Sequence, residues 1–534
     1  MGRQIELYDT TLRDGTQAEN FNLSVDDKIK ICRQLDRIGI DFIEGGWPGS
    51  NPLAVEFFRR MRDVKLTQAR LAAFGSTCHF QRTPENDSNI QALLESKAPA
   101  VTIFGKSWDI HVIEALRIEL EDNLRIIEES LAYLRPRVQH LIYDAEHFFD
   151  GFKNNRDYCL ATLGRALDGG AETLVLCDTN GGTLPHEIPA IIERVQQYMT
   201  EQGYQAPLGI HTHNDSETAV ANALMAVHCG ASQVQGCING FGERCGNANL
   251  ISIIPALVFK MGLECKVGQR IDQLYTTARM VNELANLPHN HYQPYVGESA
   301  FAHKGGIHVS AVQRNPMTYE HIAPEKVGNI RRVLISDQAG KSNVLMKAQK
   351  YGLNLDPDDP RMAEIIRELK ELENEGYQYE AAEASFELLM RRALGLEREF
   401  FQLEGFHVVN LKSKGDRVPL NEATIRLLVK GQEMHTAALG NGPVNAIDRA
   451  LRKALTPFYP ALEDMDLRDY KVRVLNGGGT QGTGVKVRVL TECHDLDDSW
   501  GTVGVSEDVI EASWQALVDS INYKLLKDER QREG

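Results

Sequence analysis

The first 262 residues alternate short apolar segments with longer amphipathic ones, and this alternation constrains the fold more than any other feature. The stretches between the apolar segments have helical periodicity, as in Val25–Ile38, which follows Ser24, a residue type preferred at helix N-caps. Strands that alternate with helices predict a parallel sheet, and eight such units in about 260 residues are typical of an α/β fold of the (β/α)8 TIM-barrel type. An open doubly wound sheet is the alternative. The predicted strands are Ile5–Asp9, Phe42–Glu44, Arg70–Phe74, Ala100–Phe104, His140–Tyr143, Thr173–Cys177, Leu208–Thr212 and Gln233–Cys237.

The rest of the chain divides into two further regions. Residues 263–395 show helical periodicity, and we expect helical lid and linker subdomains there. Residues 396–534 are β-rich, and two similar halves indicate an internal ββα-type repeat. We therefore predict a catalytic barrel over 1–262, a lid and linker region, and a small C-terminal α+β domain. Paired lobes can form a pocket at their interface, where helix N-termini after Gly442 and Gly504 can receive a carboxylate.

Composition limits the class of protein. The 534 residues include 58 basic and 74 acidic ones, a net charge of −16 that repels nucleic acid but leaves room for a local cationic pocket. No apolar run is long enough to span a membrane, and the N-terminal residues lack the pattern of a signal peptide. The nine cysteines form no C-x-x-C pair, which is typical of reduced thiols. We expect a cytoplasmic protein without nucleic-acid or membrane partners.

Polar residues follow five of the predicted strands. The carboxyl ends of all strands in a barrel meet at one face, where barrel enzymes place their catalytic groups. Five polar clusters in register are hard to explain as ordinary surface, so this face is the predicted active site. The clusters are Asp9–Gly15, Tyr143–His147, Asp178–Gly181, His211–Asp215 and Gly240–Asn247.

The clearest candidate within these clusters is a metal site. His211 and His213 are two residues apart on a strand, so both imidazoles point to the same face. Two imidazoles and a carboxylate suit a divalent cation, and Asp14 is the natural carboxylate. Asn247 can add an amide oxygen. The alternative for the histidine pair is a surface position without a metal.

Four more side chains at this face are candidate catalytic or substrate-binding residues. Arg13 is costly to bury without an anionic partner, so it either stabilises a developing oxyanion or forms a structural ion pair with a nearby acid. Glu146 shares strand phase with Asp144, so both can face the barrel mouth, where a carboxylate can transfer protons. Thr179 offers a hydroxyl to a substrate carboxylate or caps a turn.

Three glycine-containing segments lie outside these clusters. Gly340–Ser342 lacks the glycine that a phosphate-binding loop needs at position 335, where the chain has Ile335. Gly477–Gly482 matches a dinucleotide fingerprint in spacing, but a strand-like segment follows it, so we predict a hairpin loop. His303–His308 is either a mobile lid that supplies a general acid or base, or a solvated loop.

Several of these motifs together resemble a known enzyme family over nearly the whole chain. They are similar to the motifs of the acyl-CoA-condensing branch of barrel metallolyases, which comprises the 2-isopropylmalate, homocitrate and citramalate synthases. Within this branch, Glu44–Pro52 and Trp500–Glu507 look like the long-form citramalate synthases. The motifs that carry the family resemblance are Asp9–Gln17, His211–Asp215, Gly242–Asn247 and His303–His308.

The resemblance implies a metal-dependent Claisen condensation of acetyl-CoA with pyruvate. Hydrolysis of the thioester would then give citramalate and CoA, the first step of a threonine-independent route to isoleucine. The implied ligands of a Zn, Mn or Mg ion are Asp14, His211 and His213, with Asn247 in or next to the ligand shell. The residues implied in substrate binding and catalysis are Arg13 at the keto group, Thr179 at the substrate carboxylate, and Glu146 and His308, either of which could remove the methyl proton. By strand position, Asp144 and Phe104 are candidates for the substrate pocket that selects the oxo acid.

The resemblance also implies a regulatory role for residues 396–534. In this family the C-terminal domain binds the end-product amino acid of the pathway, here isoleucine, as an allosteric inhibitor; a pure dimerisation module is the alternative. The family further implies a homodimer, in which His308 can reach a neighbour's active site. Three other functions remain open: a 2-isopropylmalate synthase that uses 2-oxoisovalerate in leucine biosynthesis, or a homocitrate synthase; a lyase or aldolase of the wider superfamily; and a non-catalytic amino-acid sensor.

Overall fold

The computed structural model of the protein describes residues 3–335, 340–356, 358–413, 418–475 and 485–533. The chain forms two compact units. One contains residues 1–301 and 321–331, and the other contains residues 302–320 and 332–534. The glycine-rich segment predicted as a hairpin loop at 477–482 lies outside the described residues.

The first unit contains a closed barrel of eight parallel strands in sequential order. The first strand pairs with the eighth, with Glu6 opposite Gln233, and this pairing closes the sheet. The barrel prediction is confirmed, and closure excludes the open doubly wound sheet. All eight predicted strands are present, with ends that differ by no more than three residues. The strands are β1 (Glu6–Asp9), β2 (Phe42–Gly46), β3 (Arg70–Ser76), β4 (Ala100–Lys106), β5 (His140–Glu146), β6 (Thr173–Asp178), β7 (Leu208–Thr212) and β8 (Gln233–Gly236).

Helices surround this barrel and bury their apolar faces against it. The first helix has the predicted bounds because its ends carry local signals: Ser24 and Asp27 form a capping box, and Gly39 ends the helix at φ 100°. The helices are α1 (Val25–Ile38), α2 (Pro52–Met61), α3 (Ser88–Glu95), α4 (Leu120–Leu134), α5 (Phe148–Asn154), α6 (Arg156–Asp168), α7 (Ile188–Gln202), α8 (Ala219–His228), α9 (Leu250–Pro255) and α10 (Leu274–Leu284).

The second unit begins with short strands and helices. Its two-stranded sheet pairs β9 (Ala302–His303) with β10 (Arg332–Val333) in parallel. Buried Val344, Ile365 and Phe386 belong to one core cluster that joins three of its helices. The helices are α11 (Gly306–Arg314), α12 (Lys341–Lys350), α13 (Arg361–Glu375) and α14 (Glu383–Ala393).

The end of the chain forms the predicted internal repeat, with one more strand in each half than the sequence suggested. Two three-stranded antiparallel sheets are each followed by a helix. The second helix begins at Val509, five residues beyond the predicted start after Gly504. The first half contains β11 (Gln402–Leu411), β12 (Leu420–Val429), β13 (Gln432–Gly440) and α15 (Pro443–Leu455). The second half contains β14 (Asp466–Val474), β15 (Val487–His494), β16 (Ser499–Ser506) and α16 (Val509–Glu533).

Among the described residues, no helix combines the length and the apolar character needed to cross a lipid bilayer.

Candidate active site and metal centre

The turn after β1 carries Arg13 and Asp14, and buried hydrogen bonds hold it in place. Asp9 accepts hydrogen bonds from the backbone N–H and the hydroxyl of Thr11 at 3.0 and 2.8 Å. The ammonium of buried Lys28, on α1, donates to the Leu12 carbonyl at 2.6 Å. The turn is therefore braced both from within the barrel and from the first helix.

Asp14, His211 and His213 converge at the carboxyl ends of β1 and β7. The Nε2 atom of His211 lies 3.2 Å from Asp14 Oδ2, and that of His213 lies 3.9 Å from the same oxygen. The two Nε2 atoms are 3.3 Å apart, and all three side chains are buried. The candidate ligand atoms all lie within 4.8 Å of one another. Such a set of two imidazoles and one carboxylate fits a divalent cation.

Asn247 completes this cluster. Its Nδ2 donates to Asp14 Oδ2 at 2.7 Å, while its Oδ1 is buried and accepts no hydrogen bond from the described residues. A buried amide oxygen without a donor costs free energy, and an adjacent cation would satisfy it. A Cβ at position 242 would overlap this oxygen, so Gly242 is needed for the close approach of the loop after β8. The donor set therefore fits a divalent ion.

Charges around the cluster keep Asp14 ionised and His213 neutral. Burial opposes ionisation of Asp14, but Arg13 and the two histidines outweigh it and hold the pKa of this carboxyl well below its usual range. Burial, reinforced by His211, lowers the pKa of His213 to about 3. An ionised carboxylate and a neutral imidazole are the forms that bind metals.

Arg13 pairs with a carboxylate that the sequence analysis did not single out. Its Nε donates to Oε2 of Glu44, a fully buried residue of β2 that also accepts from the Tyr8 hydroxyl at 3.0 Å. The Arg13 guanidinium lies 3.5 Å from Asp14 and 3.7 Å from the centre of the Phe74 ring. Arg13 is thus an ion-pair partner, and it also lines the cavity described next. Glu44 lies at a strand end like the other candidates, and this position was the signal that could have identified it.

A cavity of about 200 Å³ opens onto the cluster. Trp47, Phe74 and Phe104 form one wall: the Trp47 ring packs edge-on against both phenylalanines, with ring centres 5.9 and 5.5 Å apart. The polar part of the lining includes most of the predicted site residues, namely Arg13, Asp14, Asp144, Glu146, Thr179, His211 and His213. The sequence analysis named only Phe104 as a pocket residue; Trp47 lies within the Glu44–Pro52 motif and Phe74 ends a predicted strand, but neither was assigned to the site.

Glu146, Thr179 and Asp144 each have a protein partner as well as a place in the cavity lining. A carboxylate oxygen of Glu146 forms an ion pair with Lys106 at the end of β4. The Thr179 hydroxyl accepts a hydrogen bond from the His147 backbone at 2.9 Å. Asp144 accepts a hydrogen bond from Gln235 Nε2 at 3.0 Å, and burial raises the pKa of this carboxyl to about 7. The three side chains are therefore held in place and still face the cavity.

His308 belongs to the second unit. It is exposed on α11, where its ring stacks on Tyr319 with centres 4.1 Å apart. In the same segment, His303 is buried and its Nε2 lies 3.0 Å from Glu320 Oε1. The barrel cluster does not include His308, so its catalytic role stays a prediction.

The arrangement can bind a divalent ion, place a guanidinium next to it and supply a carboxylate for proton transfer. Among known families, the HMGL-like model matches residues 4–281. Fold and site thus define a barrel of the HMGL-like class, a class of divalent-metal enzymes. Two further models match the remainder: the homocitrate synthase post-HMGL domain-like region over 295–377 and the LeuA allosteric (dimerisation) domain over 380–525.

Full-length relatives narrow the class. The (R)-citramalate synthase of Geobacter sulfurreducens is 58% identical over 98% of this chain and 98% of its own. That of Aquifex aeolicus is 52% identical over 99% of both chains. A probable 2-isopropylmalate synthase of Methanopyrus kandleri is 31% identical over 98% of both. The chain belongs to the (R)-citramalate synthase family.

Proposed function

We propose that the chain condenses acetyl-CoA with pyruvate and hydrolyses the thioester, giving (R)-citramalate and CoA. The observation that carries the proposal is the single cavity whose lining combines Arg13, the Asp14–His211–His213 cluster and an aromatic wall. The roles of Glu146 and His308 in proton transfer, and of the Asp14–His211–His213 cluster in metal binding, are part of this proposal. Five relatives that are 44–58% identical to this chain over nearly its full length are each named (R)-citramalate synthase, which supports pyruvate as the oxo acid.

In the proposed reaction Asp14, His211 and His213, with Asn247, would hold a divalent ion, which would supply positive charge to polarise the keto group of pyruvate. The Glu146 carboxylate removes a proton from the acetyl methyl group, unless His308 does so. The resulting carbanion attacks the keto carbon, and a carbon–carbon bond forms as the keto oxygen becomes an alkoxide. The Arg13 guanidinium binds this oxygen, which then takes up the proton removed from the methyl group and becomes the hydroxyl of citramalate. Water then attacks the thioester carbonyl, the carbon–sulfur bond breaks, and CoA leaves as the thiol.

The aromatic wall supports selection of a small oxo acid. The cavity of about 200 Å³ has the bulky rings of Trp47, Phe74 and Phe104 on one side, and we propose that this wall contacts the methyl group of pyruvate. Thr179 supports binding of the substrate carboxylate, because its hydroxyl is already oriented by the backbone of His147. Each additional methylene of a competing substrate is worth about 1–3 kcal/mol of discrimination in such a pocket.

The test is the release of free thiol from acetyl-CoA in the presence of added Mg²⁺, Mn²⁺ or Zn²⁺. Pyruvate, 2-oxoisovalerate and 2-oxoglutarate are compared at equal concentration. Release with pyruvate and little with the other two is the expected result. Preference for 2-oxoisovalerate would instead support a 2-isopropylmalate synthase, and no release with any oxo acid would favour the lyase or aldolase.

The C-terminal residues 396–534 are proposed to bind isoleucine as a feedback inhibitor. A cavity of about 740 Å³ lies between the two halves of the repeat, with Val444 from α15, Tyr470 from β14 and Leu517 from α16 in its lining. The same lining offers Arg449 and Asp466, the opposite charges that an amino acid zwitterion needs. Isoleucine is expected to suppress thiol release, whereas leucine at equal concentration is not.

We further propose that the protein works as a homodimer in the cytoplasm, where acetyl-CoA and pyruvate are available. The match to a LeuA allosteric (dimerisation) domain supports the dimer. We propose that residues 1–262 form the catalytic domain, that residues 263–395 form the lid and linker, and that residues 396–534 form the regulatory domain. Light scattering coupled to gel filtration measures the oligomeric state, and a mass near 59.7 kDa would contradict the dimer.

A further inference from the structure

Gln235 lies in the barrel interior between two of the site residues. Gln235 is fully buried, with 0% exposure, and the residues Asp144 and His211 are 3% and 5% exposed. Gln235 Nε2 donates to Asp144 Oδ1 at 3.0 Å, and Gln235 Oε1 lies 2.9 Å from Nδ1 of His211. The three side chains form one continuous hydrogen-bonded chain from β5 through β8 to β7. Nothing in the proposed reaction uses Gln235.

The sheet register explains why these groups meet. Gln235 and His211 are direct partners in the pairing of β7 with β8, so their side chains point to the same face of the sheet. A glutamine at a fully buried position is costly unless both ends of its amide have partners. Here both ends do, and one of the partners is a candidate metal ligand.

The direction of these hydrogen bonds determines which nitrogen of His211 carries the proton. The Asp144 oxygen accepts, so the amide NH₂ of Gln235 must face it, and the amide oxygen must face His211. Nδ1 of His211 is then the donor, and a neutral imidazole with its proton on Nδ1 has its lone pair on Nε2. Nε2 is the atom that lies 3.2 Å from Asp14 Oδ2 in the candidate metal cluster.

We propose that Gln235 is a positioning residue that fixes the tautomer and ring orientation of His211, with Asp144 as its anchor, and so sets the affinity of the site for a divalent cation. The inference rests on the metal site of the proposed function and deepens it. Partners of this kind, behind a metal-binding histidine, typically change metal affinity about 10- to 100-fold when they are removed.

The test measures Co²⁺ binding by chelator-treated, full-length protein in the absence of substrates, using visible absorption and competition with a chromophoric chelator. Gln235→Leu removes both hydrogen bonds and is expected to raise the Kd for Co²⁺ by about 10- to 100-fold. The double variant Asp144→Asn with Gln235→Glu exchanges donor and acceptor, so Glu at 235 accepts from both neighbours, and native affinity is expected to return.

Gln233→Leu is the matched control, because Gln233 is also buried on β8 but donates to Glu6 at 3.3 Å. Its Kd for Co²⁺ is expected to stay native. Three outcomes would overturn the inference: native affinity in Gln235→Leu, loss of affinity in Gln233→Leu that matches it, or a well-folded double variant that binds as poorly as Gln235→Leu. Because no substrate is present, a protein that binds Co²⁺ as expected but releases no thiol would refute the proposed function and leave this inference standing.

Discussion

Replacement of Glu44 by glutamine tests whether Arg13 must be held by a buried carboxylate in order to act on the substrate. Glu44 is fully buried, and the side chain of Arg13 is only 15% exposed, so water screens their mutual attraction only weakly. Glutamine keeps the size of the side chain and one acceptor oxygen. It removes the negative charge and can turn an NH₂ group toward the guanidinium.

Two magnitudes follow from this geometry. Breaking a buried ion pair by neutralising one partner costs about 3–5 kcal/mol, and the lower end applies because Asp14 stays 3.5 Å from Arg13. If Arg13 stabilises the alkoxide, its misplacement lowers kcat by about 10²- to 10³-fold, as the loss of an oxyanion donor does. The affinity for Co²⁺ is expected to change little, because Glu44 is not one of the clustered ligand residues.

The assay is steady-state thiol release with pyruvate, combined with thermal melts and Co²⁺ titration of the same preparations. Glu44→Asp is the companion variant, since it retains the charge but withdraws it from Arg13, and an intermediate kcat is expected. A Glu44→Gln protein with a kcat close to that of the native chain would refute the reasoning. A fall in kcat with native metal affinity would separate the role of Arg13 from that of the metal ligands.

Three further predictions follow from other buried or paired groups. Lys106→Met is expected to lower kcat about 10- to 100-fold with a native melting curve, whereas Lys106→Arg retains most activity, since a cation must hold Glu146. Burial lowers the pKa of Lys28 from 10.5 to about 8. Between these two pH values the unfolded chain carries a proton on Lys28 that the folded protein has lost, so the free energy of unfolding rises with pH across this window. The free energy of unfolding measured with denaturant should rise by about 3 kcal/mol in the native chain, and this rise should be absent in Lys28→Met. Chelation of divalent ions is expected to abolish the calorimetric signal of pyruvate binding, and unchanged binding would contradict the metal-centred site.

The barrel could be predicted because its signals are local. Each strand is covered on both faces and therefore appears in the sequence as a short apolar run. Such a run can be recognised as a strand without knowing how it pairs with its neighbours. The start of α1 was equally local, because Ser24 and Asp27 lie within one turn. Likewise, the predicted convergence of His211 and His213 needed only the two-residue period of a strand.

The features that were missed depend on contacts between distant segments. β11 and β14 are edge strands whose apolar side chains, such as Leu403 and Val472, remain 42% and 46% exposed, so they lack a clear buried face. Glu44 and Arg13 are 31 residues apart, and Gln235 and Asp144 are 91 apart. Only the closed sheet brings such pairs together, and no sequence period marks them.

The charges around the cavity explain why a chain of net charge −16 needs a cation to bind an anionic substrate. Among the described residues, three cations near the cavity are each already paired with a carboxylate, and Asp14, Asp144 and Glu243 add further acidic groups to the lining. The protein alone therefore offers no excess positive charge to the carboxylate of an oxo acid. A divalent ion at the Asp14 cluster would reduce this negative excess and place positive charge next to Arg13. Metal and oxo acid must then bind with positive coupling, and the coupling is reciprocal. The pairs are Arg13 with Glu44, Lys106 with Glu146 and Arg244 with Asp215.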